Sequence, residues 1–198
     1  MNLKGRFLQK ESRYLYTSPA VIDQLSGQLL DRIPEGGEVV IACIGTDRST
    51  GDAFGPLVGS MLNDLKLKNF HVYGTLADPL HALNLKEKVA LIERKHARPF
   101  IIAIDACLGK SSSIGMISVQ EGPLAPGAAM KKDLPKIGDI SISGIVNVGG
   151  FMEYFVLQNT RLHTVIEMAT KVADAIQVVD RTYGMKPIKK SFRNLSSS

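Results

Sequence analysis

The sequence predicts an α/β domain built on a mixed, mostly parallel sheet of about five strands with helices on both faces. Short apolar runs alternate with amphipathic stretches in the order β-α-β-α-β between Val39 and Ile104, the pattern of strands joined by crossover helices. The runs at 39–44 and 100–104 are apolar at every position, as strands covered on both faces are. The connection from Ala106 to Ile114 is then too short to hold a crossover helix. Gly115 to Val119 is therefore expected to pair antiparallel with its predecessor.

Each element has a local reason. Ser18-Pro19 offers a capping side chain followed by proline at a first helical position, and Val21, Ile22, Leu25, Leu29 and Ile33 form the apolar stripe of the helix that follows. Pro34-Glu35-Gly36-Gly37 stops it. After the strand at 39–44, the stretch from Asp52 to about Leu67 carries Phe54, Leu57, Val58, Met61, Leu62 and Leu65 at helical spacing. Asp52 thus falls at or just before a helix N-terminus, where the dipole favours its ionised form. Residues 70–74 read as a strand, 79–96 as a helix, and Arg98-Pro99 leads into the strand that ends at Asp105.

Beyond residue 120 the pattern loosens. Glu121 to Gly138 holds three prolines and three glycines and reads as a long excursion, a flap or a partner-facing loop. The last strand is expected either near 140–146, which alternates, or near 151–158, an apolar run equally suited to a strand or a short helix. Thr160 is expected to cap a long amphipathic helix reaching about Arg181. No repeat or linker divides the chain. It reads as one domain over residues 1–198, with a basic N-terminal arm (about 1–16) and a flexible basic C-terminal tail (about 184–198).

A chain of 198 residues with 44% hydrophobic content can bury a sizeable core. Its net charge of +5 is concentrated at the ends: residues 1–14 carry four basic groups and one acid, and residues 181–198 carry five basic groups and no acid. The body between them is net −3. Lys4, Arg6, Lys10 and Arg13, with Lys186, Lys189, Lys190 and Arg193, read as solvated arms rather than a nucleic-acid footprint, since no aromatic-plus-basic pattern accompanies them. No run approaches the ~20 apolar residues of a membrane span, and the N-terminus leads into no signal-peptide core. Neither a nucleic acid nor a membrane is expected as a partner. Two cysteines without metal-ligand spacing fit a reducing, cytoplasmic compartment.

The chemistry concentrates on two aspartates. Gly45, Gly51 and Gly55 form neither G-x-G-x-x-G nor a Walker loop, and the serines at 111–113 and 143 lack a nucleophile elbow. Cys107 has no activation signature, and His71, His81, His96 and His163, each taken alone, read as packing or surface residues. Asp52 and Asp105 differ because each follows a strand expected to be buried, and ligands of open parallel sheets bind outside the strands' carboxyl ends. A carboxylate there is costly unless paired, hydrogen-bonded or bound to metal. Two converging acids can share a proton and split into acid and base, or they can hold a divalent cation. The residues themselves leave both uses open.

Gly45, the run Asp52-Ala53-Phe54-Gly55-Pro56, the run Ile102-Ala103-Ile104-Asp105-Ala106 and the run Ser143-Gly144-Ile145-Val146-Asn147 together resemble the YyaC-type sporulation proteins. Those in turn resemble the spore germination protease and, more distantly, the HybD-like hydrogenase maturation endopeptidases. The resemblance covers roughly Glu38 to Arg181. It implies a three-layer αβα sandwich with one antiparallel strand, of the phosphorylase/hydrolase-like type. It also implies an aspartate-dependent peptidase site with Asp52 and Asp105 as the catalytic pair, acting on a peptide or spore protein in the sporulating cell or forespore. One aspartate would activate water and the other protonate the leaving amine. Gly45 and Thr46, or Ser143, Gly144 and Asn147, would bind substrate and stabilise the oxyanion.

The hydrogenase maturation enzymes add a histidine to their metal ligands, and residues 141–151 contain none. No cofactor is therefore expected, and if the pair binds anything, oxygen-only ligation favours weakly held magnesium, calcium or manganese. The chain also lacks the bulk of a germination protease. A catalytically silent binding or structural protein that keeps the crevice is the rival expectation, and an oligomer is compatible with either.

Overall fold

In the computed structural model, residues 11–124 and 135–185 are described. Strands are β1 (Ser12–Leu15), β2 (Val39–Cys43), β3 (Phe70–Tyr73), β4 (Phe100–Gly109), β5 (Met116–Glu121) and β6 (Ile140–Val148); helices are α1 (Val21–Leu30), α2 (Phe54–Leu65), α3 (Leu85–Lys95), α4 (Glu153–Gln158) and α5 (Leu162–Met185). The six strands form one sheet in the order β1-β5-β6-β4-β2-β3. β3, β2, β4 and β6 are mutually parallel, and β5 runs antiparallel to both β6 and β1. The α/β class and the single reversed strand agree with the sequence reading.

Alternation along the strands divides the core in two. Val39, Ile41, Ile102, Ile104, Ile140 and Ile142 face α1, α2 and α5, whose Leu25, Phe54, Val58, Val165, Val172 and Ile176 fill the larger cluster. Ala42, Ile44 and Ala103 face the other way, against Leu80, Leu85 and Ile137. That gives three layers, with α3 on the smaller side. Within the larger layer, Asp180 on α5 is only 3% exposed and accepts the backbone N–H groups of Lys68 and Asn69 at 3.0 and 2.8 Å. The buried carboxyl thereby anchors the turn that leads into β3.

Several local expectations need correction. β5 does not pair with β4; β6 is inserted between them and pairs with both. The antiparallel direction was legible, whereas the neighbour was set by the later strand. The stretch at 140–148 is the last strand and 153–158 is a helix. Within the stretch expected as an N-terminal arm (about 1–16), Ser12–Leu15 adds to the sheet edge and Arg13 pairs with Glu11 at 2.8 Å; residues 1–10 lie outside the described residues. Ser18 caps no helix: α1 begins at Val21 with Ala20 as its N-cap, and Ser18 contributes its carbonyl to the Val21 N–H. The helix expected over 79–96 starts at Leu85, since Leu80 makes a parallel bridge with Ile44 instead. Thr160 does not cap α5; its hydroxyl donates to the Val156 carbonyl at 2.9 Å. Most of the excursion after Glu121, and the tail beyond Met185, lie outside the described residues.

Candidate active site

Asp105 does not end its strand as expected: β4 runs on through it to Gly109 because β6 pairs with that stretch. Asp105 thus sits just past the end of the shorter neighbour β2, and Asp52 lies in the loop that follows β2. β2 and β4 pair directly, Cys43 opposite Ile104, and the Ile44 N–H donates to the Ile104 carbonyl at 2.7 Å. The chain turns at Gly45 after β2, loops back and enters α2 two residues after Asp52, with Ala53 as the N-cap. Glycine is required at the crossing point. Gly45 has φ 145°, and a Cβ there would collide with the Asp52 carbonyl oxygen. Gly55 faces the same constraint, since its Cβ would strike the Ile44 carbonyl. These two close approaches seat the α2 N-terminus on the end of β2, with Asp52 near enough for its charge to act on Asp105.

Burial dominates the electrostatics. The Asp105 carboxyl is pushed well above the usual carboxylate range, first by desolvation and then by the negative charge of Asp52; the Ala106 N–H that it accepts at 2.8 Å only partly offsets this. Burial raises Asp52 as well. The expected preference of the helix terminus for an ionised Asp52 is therefore outweighed by desolvation. Both acids are thus shifted toward the protonated form, and Asp105 also senses the charge of Asp52.

One step along β4, on the face of Asp105, lies a cavity of about 480 Å³ whose lining includes Glu11, Arg13, Cys107, Lys110, Ser118 and Ser143. Ser143 is the register partner of Asp105 on β6. The Cys107 thiol is pushed up to about 11, by burial first and by Asp105 second, so it carries little thiolate at neutral pH. Cys43 is fully buried.

The remaining expected substrate contacts are engaged elsewhere. The Gly45 N–H donates to the Leu80 carbonyl at 2.9 Å and the Thr46 N–H to the Asp52 carbonyl at 3.2 Å, which removes both from the oxyanion role. Gly144 lies under the ring of Phe54, which a Cβ would approach to 2.9 Å. The Asn147 amide donates to Thr160 Oγ1 at 3.2 Å and the Val156 carbonyl at 3.4 Å, tying β6 to α4. Of the five, Ser143 opens on the cavity.

Residues 13–175 match the family model described as "Protein of unknown function (DUF1256)". The chain belongs to this DUF1256 family. It is 50% identical over 188 residues to the "Uncharacterized protein YyaC" of Bacillus subtilis (strain 168), with 92% of each chain covered. Among solved structures it is similar to the [NiFe] hydrogenase maturation protease HycI of Thermococcus kodakarensis KOD1, with a TM-score of 0.54 at 19% identity, covering 78% of this chain and 99% of that one. This likeness establishes that the DUF1256 chain has the HybD-type fold.

Among the described residues, no third histidine, cysteine or acid joins Asp52 and Asp105 within ligating distance; the group that does come together is Glu38, His71 and His96 at the opposite edge. Sequence reading missed it. Its members are far apart in the chain and form no motif. No described helix is long and apolar enough to cross a membrane.

Proposed function

We propose that this DUF1256 protein is a peptidase-like hydrolase whose acid and base are Asp52 and Asp105. The observation that carries the reading is the placement of both acids beyond the end of β2, where burial first and the charge of Asp52 second raise the Asp105 carboxyl. Asp52, the less buried acid, acts as the base that activates water, and protonated Asp105 donates to the leaving amine. The cavity beside Cys107 and Ser143 gives an extended peptide a place next to Asp105. α4, whose Tyr154 and Phe155 are exposed, is tied to the Asp52 loop by the Gly51 N–H donating to the Leu157 carbonyl at 2.8 Å. The sporulation setting, a spore-protein substrate and a location in the cytoplasm or forespore follow from the resemblance to the germination protease.

The second reading is a catalytically silent binding component. It is favoured by one observation, that the Gly45 and Thr46 N–H groups and the Asn147 amide are already engaged. The deciding experiment replaces the wild-type chain with Asp105→Asn in sporulating cells and compares newly formed protein N-termini by mass spectrometry. Hydrolysis predicts a defined set of termini that disappears in the variant. Identical termini in both strains, with spore formation altered only when the whole chain is deleted, assign the binding role.

A further inference from the structure

The amino edge of the sheet carries a second group of chemically able side chains that the two-aspartate reading does not use. Glu38 immediately precedes β2, and period-two alternation puts it on the same face as Val40 and Ala42. On the neighbouring strand, His71 and Tyr73 are the register partners of those two residues. His96, the C-cap of α3, closes over them. Three separate elements thus deliver two imidazoles and a carboxylate to one point.

From this geometry we infer that Glu38, His71 and His96 form a binding site for a divalent transition metal of the zinc class. One ligand atom from each residue lies within 4.8 Å of the others. Glu38 Oε1 is 3.2 Å from His96 Nδ1 and 3.9 Å from His71 Nε2. Ligands about 2.0–2.2 Å from a tetrahedral zinc lie roughly 3.3–3.5 Å from one another, so Glu38 and His96 already stand at ligand spacing and His71 would move inward to join them. His71 is half exposed, with 51% side-chain accessibility, and is free to make that adjustment.

The surroundings orient the ligands as metal sites require. His96 is 7% exposed, and its other nitrogen, Nε2, lies 2.9 Å from the Tyr73 hydroxyl. Without an ion the Nδ1–H donates to Glu38 Oε1 and Nε2 accepts from the Tyr73 hydroxyl; an ion at Nδ1 would displace that proton, and the same hydroxyl would then accept from an Nε2–H. The second carboxylate oxygen of Glu38 is fixed by the Ala97 N–H at 2.8 Å. The two imidazole rings stand 4.5 Å apart between centroids. Three protein ligands leave a fourth position, and the exposure of Glu38 and His71 opens it to solvent. A bound ion would clamp β2, β3 and α3 together, so binding should also raise the melting temperature.

The test uses the untagged full-length chain, stripped with chelator and titrated with zinc and, separately, with cobalt. One equivalent of zinc per chain is expected, with a rise in melting temperature. Cobalt should give the intense visible absorption of a four-coordinate nitrogen and oxygen site. His71→Ala, an exposed substitution that spares the core, should weaken zinc binding at least about tenfold, and Tyr73→Phe by about tenfold through the lost orientation of His96. An Asp52→Asn, Asp105→Asn double variant should bind as wild type does. Absence of stoichiometric zinc binding, affinity unchanged by His71→Ala, or binding lost in the double aspartate variant would each overturn the assignment. None of these outcomes bears on hydrolysis at the other edge.

Discussion

The carboxyl of Asp105 is desolvated within β4, one residue past the Ile104 that faces the last residue of β2, and lies within the electrostatic reach of Asp52, which follows the Gly45 turn at the end of β2. Everything proposed for the site depends on this relationship. Two carboxylates placed apart on a sheet edge would each ionise near pH 4; here desolvation and mutual repulsion keep Asp105 protonated to higher pH.

Asp105→Asn should reduce hydrolysis by about 10³-fold, the loss typical of removing a positioned acid. Steady-state kinetics on a peptide released in wild-type cells provide the check. Cleavage persisting within tenfold of wild type would remove Asp105 from the chemistry.

The same substitution should stabilise the fold, with a defined pH dependence. The Asp105 pKa is raised above its ordinary 3.8 in the folded state, so the native chain binds more protons than the unfolded chain above that pH. Its favourable contribution is complete below pH 3.8 and is lost as pH rises through the folded-state value. The melting-temperature advantage of Asp105→Asn over wild type should therefore be absent near pH 3 and grow toward neutrality. A constant advantage across that range would contradict the shift.

Cys107 provides a contrasting expectation. With its thiol pushed up to about 11, it should react slowly with iodoacetamide at pH 7.5, and Cys107→Ser should retain hydrolysis. Rapid alkylation accompanied by loss of activity would point to a cysteine nucleophile.

Two structural substitutions separate stability from chemistry. Asp180→Ala strips the Lys68 and Asn69 N–H groups of their acceptor and should cost about 2–4 kcal/mol in denaturant unfolding. Gly45→Ala forces a side chain into the Asp52 carbonyl at φ 145° and should both destabilise the fold and displace Asp52. Wild-type stability in Gly45→Ala would show that the turn is not set as described.

The parts of this fold that were legible are those dictated by short-range pattern. Val39–Cys43 and Ile102–Ile104 are apolar on both faces because both faces are covered, and the α2 stripe repeats at helical spacing. β1 escaped notice because its four residues, Ser-Arg-Tyr-Leu, alternate only in partial burial on a sheet edge. The pairing of β5 with β6 could not be read from β5, since it depends on where a strand twenty residues later is inserted. The adjacency of β2 and β4 followed from a right-handed β-α-β path, whereas the run of β4 beyond Asp105 was not legible, because it depends on pairing with the later strand β6. The grouping of Glu38, His71 and His96 was not legible either, because strand register and the end of α3 bring them together.

The most direct measurement of the central claim is the titration of the two side-chain carboxyl carbons by NMR with ¹³C-labelled aspartate. Asp105 should titrate well above the ordinary carboxylate range, and Asp52→Asn should move it downward by removing the opposing charge. An Asp105 that titrates near its ordinary 3.8, or one whose midpoint is unmoved by Asp52→Asn, would contradict the coupled pair and with it the two-aspartate mechanism.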